Sequence, residues 1–216
     1  MSSCVIYTTI TQGYDNLKQP KVAQQMPMVC FTDDKAVASP SWKTEPINTN
    51  CYDSVRTARY HKLHPHKLFP EHDWSIWVDG SLLMTADLSL LLEEVKNQNC
   101  FGVYRHAKRD CLYQAAMNCI DKNKDDPIII NEQTQKYREE GFPENHGLVA
   151  SGVLVRQHHN PKVIDLMDAW WQEIYQHSRR DQLSFNYVCW KKQFNYYQIP
   201  ERIGDGRFFR RNPHMV

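Results

Sequence analysis

Several features of common functional classes are missing from the chain. Its seven cysteines are odd in number and contain no Cys-x-x-Cys pair, which argues against a disulfide framework and against a structural zinc site. None of its 10 histidines forms a His-Glu-x-x-His helix motif, so zinc-dependent hydrolysis is not indicated. Glycine-rich phosphate loops are also missing, because Gly13 stands alone near the first apolar segment.

Net charge and long apolar runs are missing as well. Twenty-six Lys and Arg residues face 25 Asp and Glu residues, which leaves a formal charge of +1. No global field therefore draws the protein to nucleic acid or to an anionic membrane. No apolar segment reaches the length of a membrane span, and the first residues lack a basic region followed by an apolar stretch. We expect a cytoplasmic protein without a membrane span.

The length of 216 residues with ordinary apolar content favours one large domain. No internal repeat or Gly/Ser linker marks a boundary, so we expect a single domain over residues 1–216 and a monomer. The end of the sequence from Arg207 is basic, aromatic and loop-like in pattern. We therefore expect this domain to have been cut from a longer multidomain chain.

Strand and helix patterns alternate along the sequence, which is typical of an α/β fold with a mostly parallel sheet. Short apolar runs predict strands at 5–9, 28–32, 75–78, 100–104 and 148–155. Helical patterns cover 88–95 and 110–121, and a long helix begins at Asn160-Pro161. The polar stretch 122–144 reads as a surface insertion, with a mobile lid or acceptor loop as the alternative.

Asp79, Gly80 and Ser81 directly follow the predicted strand at 75–78. A carboxylate and a hydroxyl thus enter a turn at the carboxyl end of a strand, where open α/β sheets bind ligands. Asp-Gly is also a common turn dipeptide, so a plain turn is the alternative interpretation.

A basic helix precedes this strand. A helix that starts near Asp53 places Arg56, Arg59 and Lys62 on neighbouring turns at i, i+3 spacing. A basic face beside an acidic turn suits a phosphate bridged by a metal ion.

Four segments together resemble a known family. They are the stretch that runs from Arg59 to Pro70, the strand and turn at 75–81, the pair Arg105-His106, and the segment 180–185. They are similar to a glycosyltransferase-like domain family, formerly of unknown function, with members among plant cell-wall proteins, bacteria and large algal viruses. The resemblance spans nearly the whole chain, and a viral source would place the protein in the host cytoplasm.

The resemblance implies a GT-A fold, a central mostly parallel mixed sheet flanked by helices, with a UDP-sugar donor and Mn²⁺ or Mg²⁺. Asp79 would be the metal-binding carboxylate. Ser81 stands where the wider superfamily usually has a second Asp, so the diphosphate, water and a distant His214 would complete the shell. Arg207, Arg210 and Arg211 would contact the pyrophosphate, since guanidinium groups suit phosphate. Exposed positions in a basic tail are the alternative for these four residues.

The nucleotide is expected at the ends of the first two predicted strands. Thr8, Thr9, Tyr14 and Asp15 belong to the first end, where Tyr14 would stack on uracil, and Asp33 belongs to the second. Loop packing and turn formation are the alternatives for Tyr14 and Asp15.

The resemblance places Asp181 and Gln182 near the donor sugar. The small residues around Ser151, from Ala150 to Gly152, would let a sugar approach closely, with a strand irregularity at Gly152 as the alternative. Asp181 would stabilise oxocarbenium character or accept the acceptor proton. A capping box from Ser178 to Asp181 at the start of a helix is the alternative.

The implied reaction moves a hexose or deoxyhexose from a UDP-sugar to a hydroxyl of a glycan or glycoprotein acceptor. We expect retention of configuration, because the Asp181-Gln182 segment resembles that of retaining GT-A enzymes. Two alternatives stay open. One is a sugar nucleotidyltransferase, for which a Gly-rich loop would be expected, and the other is a non-catalytic carbohydrate-binding module that uses Trp74 and Trp77 as stacking platforms.

Overall fold

A seven-stranded mixed sheet organises the chain. The computed structural model describes residues 3–47 and 52–211. Its strands are β1 (Cys4–Ile10), β2 (Met28–Thr32), β3 (Lys43–Pro46), β4 (Trp74–Val78), β6 (Phe101–Arg105), β7 (Val149–Arg156) and β8 (Tyr197–Ile199). A small second sheet pairs β5 (Leu82–Met84) with β9 (Phe209–Arg211). The large sheet has the strand order β3-β2-β1-β4-β7-β6-β8. Most of its neighbouring strands are parallel, but β7 is antiparallel to both of its neighbours.

Unequal helical layers cover the two faces of the sheet. One face carries a large core with residues from six helices, α1 (Ser54–Leu63), α2 (Pro65–Leu68), α4 (Leu112–Asp121), α5 (Pro127–Glu139), α6 (Pro161–Gln176) and α7 (Phe185–Lys192). The other face packs against α3 (Ser89–Lys96) and the β5-β9 sheet. The predicted α/β architecture with a mostly parallel sheet is confirmed.

One end of the sheet, called the functional edge, contains the carboxyl ends of most strands. β1, β2, β4 and β6 all end there, and the antiparallel β7 begins there, because Val78 pairs with Val153 and Arg105 pairs with Val149. A turn after β4 and the first residues of β7 are therefore neighbours although about 70 positions separate them in the sequence.

The stretch 122–144 is not a loop insertion. It contains α5, whose first turn is capped by Asp126 with Pro127 at its first position. Ile130 and Tyr137 are fully buried in the larger core. The prediction failed because the helix is mostly polar, and its few buried contacts replace a continuous apolar stripe.

The segment after Arg207 is not a loop throughout, since β9 pairs with β5 directly after the Asp79 turn. Three-residue strands such as β5, β8 and β9 carry too little periodicity to be recognised in a sequence. Thr8 and Thr9 lie inside β1 rather than beyond it, because β1 extends to Ile10 and pairs there with Thr32.

In the part of the chain that the structure describes, no helix is both long and apolar enough to cross a lipid bilayer.

Candidate functional site

Lys62 lies at the centre of a charged cluster at the functional edge. It belongs to the last turn of α1, and its side chain is fully buried. Its Nζ lies 2.5 Å from Oδ2 of Asp181 and 3.6 Å from Oδ1 of Asp79. A buried ammonium requires such partners, because an unpaired charge in the interior is costly. Lys62 therefore links the turn after β4 to the segment before α7.

Hydrogen bonds and charges saturate the Asp181 carboxylate. Its Oδ2 also accepts a hydrogen bond from Ser151 Oγ at 3.0 Å, and Oδ1 lies 3.2 Å from Nε of Arg59. Burial alone would raise the pKa of Asp181, yet the charges of Arg59 and Lys62 hold that pKa far below its ordinary value. Asp181 is thus a buried carboxylate that stays ionised and holds two cations in place.

Arg59 is the second cation of the cluster. Burial on its own lowers the pKa of Arg59, but the charges of Asp181 and Asp79 raise it above the ordinary value. The phenol of Tyr14 also interacts electrostatically with Arg59, and about half of the Tyr14 side chain is exposed. Tyr14 therefore stands at the solvent side of the charged cluster.

Asp79 is oriented by two neighbours, Trp77 and Gly152. Its Oδ1 accepts a hydrogen bond of 2.6 Å from Nε1 of Trp77, and its backbone N–H donates to the Gly152 carbonyl at 2.8 Å. Trp77 and Asp79 point to the same face because side chains alternate along β4. A Cβ atom at Gly152 would lie 3.2 Å from Asp79 Oδ2, so glycine lets β7 approach the carboxylate. With 34% of its side chain exposed, Asp79 is far more accessible than Asp181.

The turn itself is held from the β1 side. Lys18 Nζ donates to the Gly80 carbonyl at 2.7 Å and lies 3.7 Å from the buried Asp15 carboxylate. A Cβ atom at Gly80 would lie 3.0 Å from Asp15 Oδ2. A larger residue at position 80 would thus push the turn away from β1.

Comparison with known proteins gives the chain its family. A family model described as the TOD1/MUCI70 glycosyltransferase-like domain matches residues 1–200. The chain belongs to this family. A curated relative, the probable hexosyltransferase MUCI70 of Arabidopsis thaliana, is 28% identical over 158 residues, which cover 68% of this chain and 27% of the relative. The chain thus spans about a quarter of the length of that protein.

Solved structures agree with the family on the fold. The apo crystal structure of mouse xyloside xylosyltransferase 1 matches with a TM-score of 0.51 at 12% identity, covering 92% of this chain and 84% of that one. The apo structure of the bifunctional glycosyltransferase WbbM matches with a TM-score of 0.50 at 12% identity, covering 92% of this chain and 39% of that one. The seven-stranded sheet with its flanking helices is a GT-A fold, as expected.

Arg56 does not join the basic cluster of this family member. Its guanidinium donates to the carbonyls of Ile174 and His177 at the end of α6 and pairs with Asp53 at 2.8 Å. Each helical residue rotates by about 100°, so the six positions from Arg56 to Lys62 fall about 120° short of two full turns. Arg56 and Lys62 therefore lie on different faces of α1. Arg56 ties α1 to α6, whereas Arg59 and Lys62 face the site.

Three further predicted nucleotide contacts differ in accessibility. Thr8 and Thr9 are buried, and their hydroxyls have no hydrogen-bond partner among the described residues. Asp33 is exposed and accepts two hydrogen bonds, of 2.9 and 3.1 Å, from the backbone N–H of Gln12. Asp33 therefore joins the ends of β1 and β2 at the functional edge.

The predicted capping box is contradicted by the structure. Ser178 donates to Asp125 rather than capping a helix, and the Asp181 carboxylate faces Lys62. The segment Asp181–Leu183 forms a 3₁₀ turn before α7. Gln182 uses its amide to donate to the Val149 carbonyl at 2.6 Å.

Of the three predicted arginines near the end, Arg207 lies before β9, and Arg210 and Arg211 belong to it. Arg210 donates to the carbonyls of Gly206 and Phe209. Arg211 pairs in the small sheet with Leu82, the residue that follows Ser81. The pKa of His106 is lowered mainly by burial and by the charge of Arg109, and the charge of Arg211 lowers it further. Arg207 pairs with Glu94 and Glu201. His214 lies outside the described residues.

Over residues 3–47 and 52–211, no group of three His, Cys, Asp or Glu side chains is arranged to hold a metal ion. The turn after β4 offers one accessible carboxylate, Asp79, and the half-buried hydroxyl of Ser81 two residues later. Hard oxygen donors of this kind fit Mn²⁺ or Mg²⁺ when substrate phosphates supply further ligands. The residues present are therefore compatible with a divalent cation that is shared with a diphosphate.

Two cavities lie near the end of β6 and its neighbour β8. One, of about 440 Å³, is lined by residues 105–110 and 200–202 and includes Arg105, Lys108 and Arg202. The other, of about 610 Å³, lies between His146, α7 and the segment before β8. The sequence pattern did not reveal the second cavity, nor the contacts that Trp77 and Lys18 make to the Asp79 turn. The i, i+2 spacing of Trp77 and Asp79 was a usable signal for the contact between these two side chains.

Proposed function

We propose that the chain is a metal-dependent glycosyltransferase that moves a hexose or deoxyhexose from a UDP-sugar to a hydroxyl of a glycan or glycoprotein acceptor, with retention of configuration. The observation that carries this proposal is the charged chain Asp79–Lys62–Asp181 at the functional edge of a GT-A fold. An accessible carboxylate, a buried cation and a buried carboxylate together offer both a metal ligand and a fixed positive group beside it.

Charge balance supports the metal requirement. The cluster contains the carboxylates of Asp79 and Asp181 and the cations of Arg59 and Lys62, so its formal charges cancel. A neutral cluster has little attraction for a diphosphate. A divalent cation held by Asp79 and Ser81 would make the site positive and would stabilise the negative charge that develops on the leaving diphosphate.

Residues at the ends of β1 and β2 would hold the nucleotide. Tyr14 is exposed beside Arg59 and offers a ring that can stack on uracil. Asp33, which is exposed at the end of β2, would offer its carboxylate to the ribose or base, and the buried Asp15 beside Lys18 would support the same end of β1. Thr8 and Thr9 are buried near the end of β1, and their hydroxyls have no hydrogen-bond partner among the described residues, so they would support the nucleotide from within the strand.

Fixed cations would assist departure of UDP. Arg59 and Lys62 are already oriented by Asp181, so they need no rearrangement when charge develops on the diphosphate, and this kind of preorganisation is a large part of enzymatic rate enhancement. Arg210 and Arg211 would approach the diphosphate from β9. Arg207 contributes less, because two glutamates already pair with it.

The bond changes are simple. The bond between the anomeric carbon and the diphosphate oxygen breaks, the acceptor hydroxyl forms the new bond on the same face, and its proton passes to the departing diphosphate. The saturated carboxylate of Asp181 acts in this scheme by holding Arg59, Lys62 and Ser151 in position. Gln182 fixes the start of β7 beside the sugar.

Calorimetric titration of UDP, with GDP and CMP as comparison ligands, tests the proposal in Mn²⁺ and again in EDTA. We expect selective binding of UDP that disappears in EDTA. Absence of UDP binding with metal present contradicts the proposal and favours a carbohydrate-binding module. Preference for a nucleoside triphosphate over UDP would favour a sugar nucleotidyltransferase.

A further inference from the structure

The larger cavity has an uncharged lining, unlike the neighbouring site. Its walls carry four side-chain amides, three aromatic rings, His146 and Cys189, and no Lys, Arg, Asp or Glu stands among the described residues that line it. The amides belong to Asn186, Gln193, Asn195 and Gln198. A volume of about 610 Å³ falls within the range of roughly 300–1,000 Å³ that is usual for small-molecule sites.

Nearby charged side chains are held away from this cavity. Lys191 pairs with Glu140 at 2.5 Å, and Lys192 pairs with Asp165 at 2.7 Å. Both lysines follow Trp190 directly, yet neither lines the cavity. A charged ligand would therefore find no counter-ion in the walls.

The available polar groups suit hydroxyl ligands. Gln193, Asn195 and Gln198 are exposed, and their side-chain amides make no hydrogen bond with the residues that the structure describes. Each amide has donors and an acceptor, as sugar hydroxyls require. Trp190 and Tyr196 are half-buried and offer flat apolar surfaces to the C–H faces of a sugar ring.

Asn186 connects this cavity to the start of β7. Its Oδ1 accepts from the Val149 N–H at 3.1 Å, and its Nδ2 donates to the Tyr196 hydroxyl at 3.1 Å. One helical turn earlier, Gln182 donates to the carbonyl of the same Val149. The amide wall of the cavity is thus tied to the segment that carries Asp181.

The first residues of β7 set the distance to the charged cluster. Gly152 contacts Asp79, Ser151 contacts Asp181, and Val149 contacts Asn186 of the cavity wall. Two residues of extended strand span about 7 Å. The residue of β7 that contacts Asp181 and the residue that contacts the cavity wall are therefore close together in the strand.

We propose that this cavity binds an uncharged sugar residue of the acceptor glycan, next to the residue that receives the transferred sugar. The inference rests on the proposed glycosyl transfer and adds the chemical class of the acceptor. The 440 Å³ cavity is the weaker candidate for this ligand, since four cationic side chains outnumber the carboxylates of Asp110 and Glu201 in its lining and would favour carboxylates, sulfates or phosphates instead.

Nuclear magnetic resonance of the whole chain, saturated with UDP and Mg²⁺, tests this proposal. Methyl galactoside, methyl glucoside and methyl xyloside serve as neutral probes, and methyl galacturonoside serves as the charged counterpart of the galactoside. We expect at least one neutral probe to shift the indole signal of Trp190, assigned with Trp190→Phe, and the galacturonoside to bind at least about tenfold more weakly.

Charge-introducing variants locate the binding. Gln193→Glu and Gln198→Glu should weaken the neutral probe at least about threefold and leave UDP affinity unchanged. Gln172→Glu is the matched control, because Gln172 is an exposed amide on α6 that lines neither cavity, and it should change neither affinity.

The two proposals fail in different ways. If UDP binds but the neutral probes leave Trp190 unperturbed, or if Gln172→Glu weakens them as much as Gln198→Glu, the acceptor site is wrong and glycosyl transfer stands. If the probes shift Trp190 but UDP does not bind with metal present, glycosyl transfer and the acceptor assignment both fail, and the chain is a carbohydrate-binding module.

Discussion

The charged cluster and the uncharged cavity both contact the first residues of β7, through Ser151 and Val149, but their polar groups differ in burial and in hydrogen bonding. In the cluster, Lys62 and Asp181 are buried and every charged oxygen of Asp181 has a partner. In the cavity, three of four amides are exposed and make no hydrogen bond with described residues. The cluster is preorganised before any ligand arrives, whereas the cavity keeps its polar groups available.

This difference follows from what each region has to stabilise. Charge that develops during diphosphate departure is stabilised best by groups that are already fixed. Neutral hydroxyls instead gain from amides that can exchange water for sugar with little net cost. Disturbing the cluster should therefore change stability and donor binding together, and disturbing the cavity should change acceptor binding alone.

Stability should respond most strongly to loss of the Lys62–Asp181 pair. Lys62→Met leaves the buried Asp181 carboxylate with only one of its two cations, and Asp181→Asn leaves Arg59 and Lys62 without the carboxylate that they share. Each should lower the free energy of unfolding by about 3–5 kcal/mol, the usual cost of breaking a buried pair from one side. Urea unfolding provides the measurement.

The double variant Lys62→Met/Asp181→Asn sharpens this test. It removes both charges of the pair, so its loss of stability should be clearly smaller than the sum of the two single losses. Additive losses would show that the two side chains do not form a coupled pair.

Acid should expose the same ion pair. The folded pKa of Asp181 lies far below its ordinary value of 3.8, so its stabilisation is complete above about pH 4 and is lost as the pH falls further towards the folded pKa. Wild type and Asp181→Asn should differ by a constant amount from pH 7 to about 5, and the difference should shrink below about pH 4.

Two histidines act on both proteins in this comparison. Burial lowers the pKa of His64 and His158 to about 4, below the ordinary value of 6.5. Their contribution to the free energy of unfolding therefore declines as the pH falls below about 6.5. It cancels when the two unfolding curves are subtracted. A difference that shrinks already between pH 7 and 5 would contradict the assigned ionisation of Asp181.

Donor binding should depend most on Asp79. Asp79→Asn removes the accessible carboxylate with almost no change in volume, and we expect UDP affinity in Mn²⁺ to fall more than about 100-fold, since even indirect partners of a metal cost about 10- to 100-fold. Calorimetry measures the affinity. Asp121→Asn, an exposed carboxylate at the end of α4, is the control and should bind UDP as wild type does.

Stability separates this result from the previous one. Asp79 is partly exposed, so Asp79→Asn should retain most of the folding free energy, in contrast to Asp181→Asn. An Asp79→Asn protein that is folded and still binds UDP with wild-type affinity would contradict the metal site.

Sequence reasoning found the charged region more readily than the uncharged one. The run Trp74–Val78 followed by Asp79 predicts a buried strand that delivers a carboxylate, and Asp53 predicts the start of α1. These signals are local. Family resemblance, not periodicity, pointed to Asp181.

The uncharged cavity left no such signal. Gln193, Asn195 and Gln198 look like ordinary surface amides in a sequence, and only the pairing of β8 with β6 brings them opposite His146. The separation of Arg56 from Arg59 and Lys62 also depends on packing, because α6 offers the carbonyls that Arg56 binds. Long-range placement of this kind is not encoded in local spacing.

The smallest effect concerns the hydrogen bond that orients Asp79. Trp77→Phe removes the indole N–H that donates to Asp79 Oδ1 at 2.6 Å and leaves an aromatic ring in the core. A hydrogen bond to a charged group contributes about 1.5–3 kcal/mol, so UDP affinity in Mn²⁺ should fall at least about tenfold. Trp74→Phe is the matched control, since Trp74 lies in the same strand but packs in the opposite core. It should lose comparable packing and little UDP affinity, and neither variant should change sugar binding at Trp190. Equal losses of UDP affinity in both would mean that strand packing, and not the orientation of the carboxylate, limits donor binding.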